Sequence, residues 1–493
     1  MNKLDLQCNI YVAKKISITK WGNMRVALLL PPFADIYGNF KSVYRRGFLN
    51  PPLGFAYIAA AAEKKGHTVI IIDAEAENIP IKDVIFRASK FEPGIIGFTA
   101  TSPTFKLTTE FAQKIRVAFP SVPFVIGGAH LAIFQKTVLE ENPLYDFGII
   151  GDGEESVPEL LEKIIQNRDY GAVKGLIWRD RGTVIQNEIR PPLKDLDKYP
   201  FPARHLLKND LYLRNVPYKG YVVSAPVMSS RGCPYDCIYC AVKNIPNGTM
   251  VRFRSPQNIM EELTLIVREL GIKHIAFNDD CLTFRKDKMI DLCRLIRSSG
   301  LQFTWEGLTR ADRVDRELLQ EMKSAGCIRL SFGIESGNQK ILDVLQKHET
   351  VEQIAQGIRL AHDAGIITRG SVIVGSPYET SKEVDDTFRF INTLDELDEV
   401  ITSVMQPYPG TKVREMVLNG EGGTRFIQQD FSELRRLGNS AIEVNDLTAE
   451  RLVKLQRQGF LRFYFRPKKI IRFLKINKPY TLLCDAISVI RNV

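Results

Sequence analysis

The sequence predicts an α/β protein in three parts: a doubly wound, Rossmann-like N-terminal domain, a partial (β/α)6 TIM-type barrel and a helical C-terminal region. Three observations predict it. Short apolar runs rich in β-branched residues alternate with helical stretches from residue 24 to about 170. A proline-marked stretch then breaks the rhythm over 171–215, and a second series of six such runs fills 216–423. Six βα units exceed an edge sheet and fall short of a closed eight-stranded barrel, so the second series fits a partial barrel with a lateral opening.

Residues 1–23 carry no pattern and read as a leader. In the first series the expected strands are Arg25–Leu30, Thr68–Ile72, Gly94–Phe98, Phe124–Ile126 and Phe147–Ile150. Helices are expected over Gly54–Lys65, 105–118, 131–141 and Ser156–Gln166, which gives parallel strands joined by crossover helices. In the linker, Gly175–Arg179 and Thr183–Glu188 flank Asp180-Arg181-Gly182 as a hairpin, and Pro191, Pro192, Pro200 and Pro202 stiffen the chain after it. Barrel strands are expected at 222–229, 274–277, 302–306, 328–332, 370–374 and 401–405, with helices such as Pro256–Leu270 and Lys286–Ser299 between them. Residues 424–493 read as helices, Leu452–Tyr464 being basic on one side and apolar on the other, with Pro467 as an interruption.

Composition narrows the class. Hydrophobic residues make up 44% and charged residues 25% of the chain, enough to bury cores in an ordinary globular protein. Apolar runs such as Phe55–Ala62 fall far short of the ~18 residues of a spanning helix, and no signal-peptide pattern follows the N-terminal lysines, so a cytoplasmic protein is expected. The net charge of +10 lies wholly within residues 451–493, while the rest of the chain balances, which argues against nucleic acid as a partner. Two readings of that basic region stand: a helix packed on the barrel with its basic face in water, and a peripheral contact with the inner face of a membrane.

Of eight cysteines, Cys8, Cys281, Cys293, Cys327 and Cys484 are scattered and read as buried small apolar residues. The other three lie in Arg231-Gly232-Cys233-Pro234-Tyr235-Asp236-Cys237-Ile238-Tyr239-Cys240, directly after the first strand of the second series. This C-x3-C-x2-C spacing lets three thiolates of one loop converge on a small inorganic unit. A cubane cluster has four irons, so three cysteines leave one iron open to a ligand. A zinc site would need a fourth ligand, and the nearest histidines, His205 and His274, are remote along the chain.

The Cys-x3-Cys-x-aromatic-Cys pattern resembles the signature of the radical S-adenosylmethionine (SAM) superfamily. The resemblance implies a [4Fe-4S] cluster on Cys233, Cys237 and Cys240 whose open iron chelates SAM, with Tyr239 beside the adenine. Phe277-Asn278-Asp279-Asp280 resembles the family's acidic strand-end motif and brings in Asp279. Ser331-Phe332-Gly333-Ile334-Glu335-Ser336-Gly337 ends the fourth strand, where Glu335 and Ser336 are expected near the ribose or amino group of SAM. Gly375, in Val374-Gly375-Ser376-Pro377, is expected to let the backbone approach the adenine, and Gln406–Thr411 to line a substrate pocket. Functional residues at the C-terminal ends of barrel strands agree with this.

Pro51-Pro52-Leu53-Gly54, Gly66-His67 and Ile126-Gly127-Gly128-Ala129-His130 resemble the cobalamin (B12)-binding domain of B12-dependent radical SAM enzymes. Ligands of such sheets bind at the carboxyl ends of the strands. The cobalamin-facing residues implied are Tyr37, Thr99, Ser102, Gly127, Gly128, His130, Gly153 and Glu154. One departure is clear: Asp35-Ile36-Tyr37-Gly38-Asn39-Phe40 puts tyrosine where many cobalamin domains place the cobalt-ligating histidine of Asp-x-His-x-x-Gly. RNA methylthiotransferases need a second three-cysteine cluster in the N-terminal domain, and Cys8 is the only cysteine before Cys233.

What the resemblance implies is reductive cleavage of SAM to a 5′-deoxyadenosyl radical, hydrogen abstraction from an unactivated carbon of a small-molecule or lipid-like substrate, and methyl transfer from methylcobalamin. A flavodoxin or ferredoxin would serve as reductant. Two other readings stand beside it: a radical SAM cyclase or rearrangement enzyme without methyl transfer, and a non-enzymatic Fe–S or zinc protein.

Overall fold

A computed structural model describes residues 22–34, 41, 45, 49–166 and 169–478. The loop carrying Tyr37 and most of the expected leader lie outside the described residues. The chain lays down β1 (Arg25–Leu30), α1 (Leu53–Lys64), β2 (Thr68–Asp73), α2 (Ile81–Phe91), β3 (Ile95–Thr99), α3 (Ser102–Ala118), β4 (Phe124–Gly127), α4 (Ala129–Phe134), α5 (Thr137–Glu141), β5 (Phe147–Ile149), α6 (Gly153–Gln166), β6 (Leu176–Asp180) and β7 (Thr183–Gln186). These strands form one seven-stranded sheet in the order β2-β1-β3-β4-β5-β6-β7. The first five are parallel and the last two antiparallel. Separate apolar clusters cover its two faces.

Three details differ from expectation. The hairpin is part of this sheet: Leu176 and Ile177 are fully buried and pair with β5, so their apolar surface extends the domain. The expected helix over 131–141 is two helices broken at Gln135, whose φ of +52° no helix holds. Helix α2 went unanticipated; its Lys, Arg and Ser positions dilute an apolar stripe of which Val84 and Ala88 are the buried members.

The second series begins with a hairpin, β8 (Leu213–Val216) and β9 (Gly220–Val223), so the first barrel strand, β10 (Ala225–Val227), is only three residues long. Then come β11 (Ser230–Arg231), β12 (Arg252–Phe253), α7 (Pro256–Thr264), β13 (His274–Phe277), α8 (Lys286–Ser298), β14 (Thr304–Thr309), α9 (Arg316–Ser324), β15 (Cys327–Glu335), α10 (Gln339–Val344), α11 (Val351–Asp363), β16 (Ile367–Val374), α12 (Ser381–Thr393), β17 (Glu399–Val404) and α13 (Lys412–Leu418). Six parallel strands in the order β10-β13-β14-β15-β16-β17 make the open barrel. Reciprocal capping boxes, Thr350 with Gln353 and Thr380 with Glu383, start α11 and α12 where the strands hand over to them.

The C-terminal region opens as a hairpin, β18 (Thr424–Phe426) with β19 (Ile442–Val444), and becomes helical at α14 (Ala449–Tyr464) and α15 (Pro467–Ile476). Leu452, Leu455 and Phe463 of α14 are buried in the barrel core.

Candidate functional site

The cysteine loop is closed at its base by β11 pairing with β12. Gly232, with φ +93°, opens it: a Cβ there would meet the Met250 and Gly248 carbonyl oxygens at 2.6 and 2.8 Å, so only glycine fits. The Cys233 amide donates to the Gly248 carbonyl at 2.9 Å and the Cys240 amide to that of Cys237 at 3.1 Å. Ile238 anchors the loop from below, buried between the chain at Leu345 and Val413.

The three thiols are free and line one cavity of about 560 Å³ in the barrel mouth. Among the described residues no three His, Cys, Asp or Glu side chains converge closely enough for a single metal ion. Burial pushes the Cys233 thiol up to about 11 and raises Cys237 and Cys240 as well. Thiolates there need arriving positive charge, and metal ligation would release the protons.

The opposite wall is the end of β15. The strand bulges between Gly333 and Glu335, and Glu335 takes φ +62°, a left-handed conformation rare outside glycine. The kink puts a buried carboxylate in the cavity beside Tyr239 and 3.7 Å from Lys347 Nζ. A Cβ at Gly333 would stand 2.4 Å from Glu335 Oε1 and 2.9 Å from Lys347 Nζ, so a side chain there would push these two charged ends aside. Burial raises the Glu335 pKa, with Lys347 opposing. Lys347 also meets Glu349 at 3.2 Å; burial works against its charge, and the two glutamates more than offset it. At the floor, Arg329 bridges Glu306 and Glu399, which Arg214 and Arg369 pair from the cavity side.

A second cavity of about 370 Å³ lies under the strand tips of the N-terminal sheet. Gly128, Gly151 and Asp152 edge it on one side and the cysteine loop (Gly232, Val242, Asn247) on the other. The two halves are clamped together. Arg231 pairs with Asp152 at 3.1 Å and Glu154 at 2.6 Å, and Arg252 with Asp152 at 2.5 Å. Tyr57 and Tyr199 hold the Arg231 guanidinium at 5.0 and 5.3 Å from their ring centres.

Comparison with known proteins shows the same division. The radical SAM superfamily model matches residues 227–391, and the B12 binding domain model matches residues 43–161. An uncharacterized methyltransferase of Pyrococcus horikoshii is 31% identical over 452 residues, covering 91% of this chain and 94% of its own. The chain belongs to the cobalamin-dependent radical SAM enzymes. An anaerobic magnesium-protoporphyrin IX monomethyl ester cyclase of Rubrivivax gelatinosus is 28% identical over 377 residues, 74% of this chain and 65% of the cyclase. Two solved structures share the fold. The radical SAM methyltransferase TsrM of Kitasatospora setae, with cobalamin and a [4Fe-4S] cluster bound, has a TM-score of 0.66 at 17% identity, covering 84% of this chain and 81% of TsrM. The radical SAM enzyme OxsB, with aqua-cobalamin and SAM bound, has a TM-score of 0.72 at 17% identity, covering 95% of this chain and 72% of OxsB. Membership of this enzyme family sets aside the non-enzymatic reading.

The radical SAM enzyme's expected site residues are only partly brought together. Cys233, Cys237, Cys240, Tyr239, Asp279 and Glu335 line the barrel cavity. Asp279, however, is spent on structure: Oδ1 accepts from the Ser229 and Ser230 hydroxyls at 2.7 and 2.6 Å, and Oδ2 from the Ser229 amide at 3.1 Å. Its neighbour Asp280 is the carboxylate that reaches both cavities. Ser336 turns away to the Thr387 hydroxyl of α12 at 3.0 Å, and the space left by Gly375 is filled by Leu452 of α14 at 3.0 Å.

In the B12-binding domain, Gly128 is the expected residue that edges the second cavity. Its φ is +97°, and a Cβ there would stand 2.6 Å from the Ala100 carbonyl oxygen, so the turn itself requires glycine. Gly127 and Thr99 lie beside it at the strand tips without facing the cavity. His130 is committed: its Nδ1 bonds the Ser102 hydroxyl at 3.0 Å, its ring stacks on Phe105 at 3.9 Å, and burial lowers its pKa to about 4. Gly153 packs against Ile58, and Glu154 serves the clamp. Lys347, Arg310, Asp280 and Cys281 line the barrel cavity and were not singled out from the sequence for it. Only the position of Asp280 inside the quoted acidic motif carried a signal.

Proposed function

We propose that this radical SAM enzyme is a C-methyltransferase that uses a [4Fe-4S] cluster, SAM and methylcobalamin to methylate an unactivated carbon of a small-molecule or lipid-like substrate. The observation that carries the reading is a shared wall: Val242 and Asp280 line both cavities, so the thiol-lined space and the space under the N-terminal sheet lie side by side. Bound there, the cofactors supply the reductive cleavage, the hydrogen abstraction and the methyl group. The protein's part is to bind, orient and exclude water. Cys233, Cys237 and Cys240 would hold three irons and leave the fourth open. Glu335 would accept from the ribose hydroxyls or amino group of SAM, and Lys347 would keep it ionised while offering a cation to the SAM carboxylate. Tyr239 would pack beside the adenine. Gly128, Gly151 and Asn247 would edge the corrin, a placement that fits cobalamin bound without a ligand from His130.

The cyclase relative favours a second reading, radical chemistry without methyl transfer. Iron, sulfide and cobalamin are to be measured on protein purified without oxygen, beside a Cys233→Ala/Cys237→Ala/Cys240→Ala variant. About four irons and one cobalamin per chain are expected, with iron lost and cobalamin kept in the variant. Under reduction by flavodoxin or ferredoxin with substrate, S-adenosylhomocysteine formed alongside 5′-deoxyadenosine marks methyl transfer. 5′-Deoxyadenosine alone marks the second reading, and protein without iron would sink both.

A further inference from the structure

We infer that α14 and α15 form a docking surface for an anionic lipid bilayer. The inference is independent of the catalytic reading. Phe460, Leu461 and Phe465 at the end of α14, with Ile470, Ile471 and Leu474 of α15, are between 41% and 71% exposed. Ten other large apolar residues are exposed across the rest of the described chain, whereas these six fall within fifteen consecutive positions. The core-facing side of α14 is supplied by other residues, Leu452, Leu455 and Phe463. A cluster of large apolar side chains left in water on two successive helices marks an interaction surface.

The charge around the patch chooses the occupant. Residues 451–478 hold ten Lys or Arg and no Asp or Glu. Arg462, Lys468 and Arg472 pair with Asp385, Asp395 and Asp398 of the barrel. Lys454, Arg457 and Lys475 are exposed and make no ion pair among the described residues. A second copy of the chain would set these cations against one another. Residues 479–493, with Asp485 and Arg491, bring no net charge to meet them. An anionic bilayer meets both needs, taking the apolar side chains into the headgroup boundary and the cations onto its phosphates. Among the described residues no helix is long and apolar enough to cross a membrane, so the contact is peripheral.

Geometry says which way the enzyme would face. The Tyr218 amide donates to the Ile476 carbonyl at 2.7 Å, Asn215 to Asn477 at 3.3 Å, and Lys469 binds carbonyls just before β17. These contacts lie at the end of the barrel where strands begin, opposite the cysteines. Docking therefore leaves the cavity mouth clear.

The test is co-sedimentation of the full chain with vesicles of phosphatidylcholine alone or with about 30% phosphatidylglycerol. Wild type is expected to bind the anionic vesicles at least tenfold better, and less well at high salt. Both Phe465→Ser/Ile471→Ser/Leu474→Ser and Lys454→Glu/Arg457→Glu/Lys475→Glu should lose tenfold or more, with unchanged thermal unfolding and iron content. No binding to anionic vesicles overturns the proposal. So does loss in the charge variant alone, which would mean a general polyanion surface. Unchanged SAM cleavage in both variants would keep this result separate from the catalytic one.

Discussion

Glu335 holds its left-handed backbone at a cost of about 1–3 kcal/mol, which the surrounding structure must offset. What it obtains is direction: the carboxylate turns off the strand into the cavity, into room kept by Gly333 and toward Lys347. Glu335→Gln keeps the shape and removes the charge. It is expected to weaken SAM binding by roughly 10–100-fold, the worth of a charge-assisted hydrogen bond of about 1.5–3 kcal/mol, while iron content stays the same. Equilibrium dialysis with SAM checks this, and an unaltered affinity would remove Glu335 from the binding residues. The cluster residues were legible because three cysteines within one short loop need only local chain geometry to converge. Lys347 was not, because it reaches Glu335 through the fold of α10 and the turn beyond it.

At the scale of elements, the turn from β16 into α12 carries a buried carboxyl. Glu379 Oε2 accepts from the Gly375 and Ser376 amides at 2.6 and 2.9 Å, while Oε1 is buried with no partner. Burial pushes its pKa up to about 8, against roughly 4.3 in an unfolded chain. The native state therefore binds the proton more tightly. The stability this gives is whole below pH ~4 and is lost as the pH rises through about 8. Glu379→Gln is expected to match wild type in thermal unfolding at pH 5 and to exceed it at pH 9, by up to a few kcal/mol. A difference between the two proteins that is flat from pH 5 to 9 would mean that Glu379 does not titrate there. The elements around this turn were legible where periodicity is strong. The first barrel strand was misjudged at its start because residues 222–223 belong to the β8–β9 hairpin, and apolar alternation does not distinguish a hairpin from a barrel strand.

Across the whole molecule, the two cofactor-sized cavities keep their relation through Arg231. It sits two residues before Cys233 and pairs with Asp152 of the strand-tip loop and Glu154 in the first turn of α6 in the B12-binding domain. Burial opposes its charge, and Glu154 and Asp152 more than restore it. Arg231→Met would leave Glu154 buried without its partner. We expect a loss of about 3–5 kcal/mol and a calorimetric profile that splits into two transitions, one per half. Adding Glu154→Gln should recover part of the loss. A single transition at the wild-type temperature would show that the halves are held by other contacts, such as Tyr212 with Asp73 at 2.9 Å.

The sequence by itself determined the two βα series, the cysteine loop and the separate basic C-terminus, because each rests on periodicity, local spacing or local composition. Only the tertiary structure decided which strand-end residues face the cavities. Asp279, Ser336 and His130 are turned to partners on other segments, while Asp280 and Lys347 are turned inward. The physical reason is that a buried polar side chain is claimed by the nearest group able to satisfy it. At the mouth of a barrel that group comes from elements far apart in the chain.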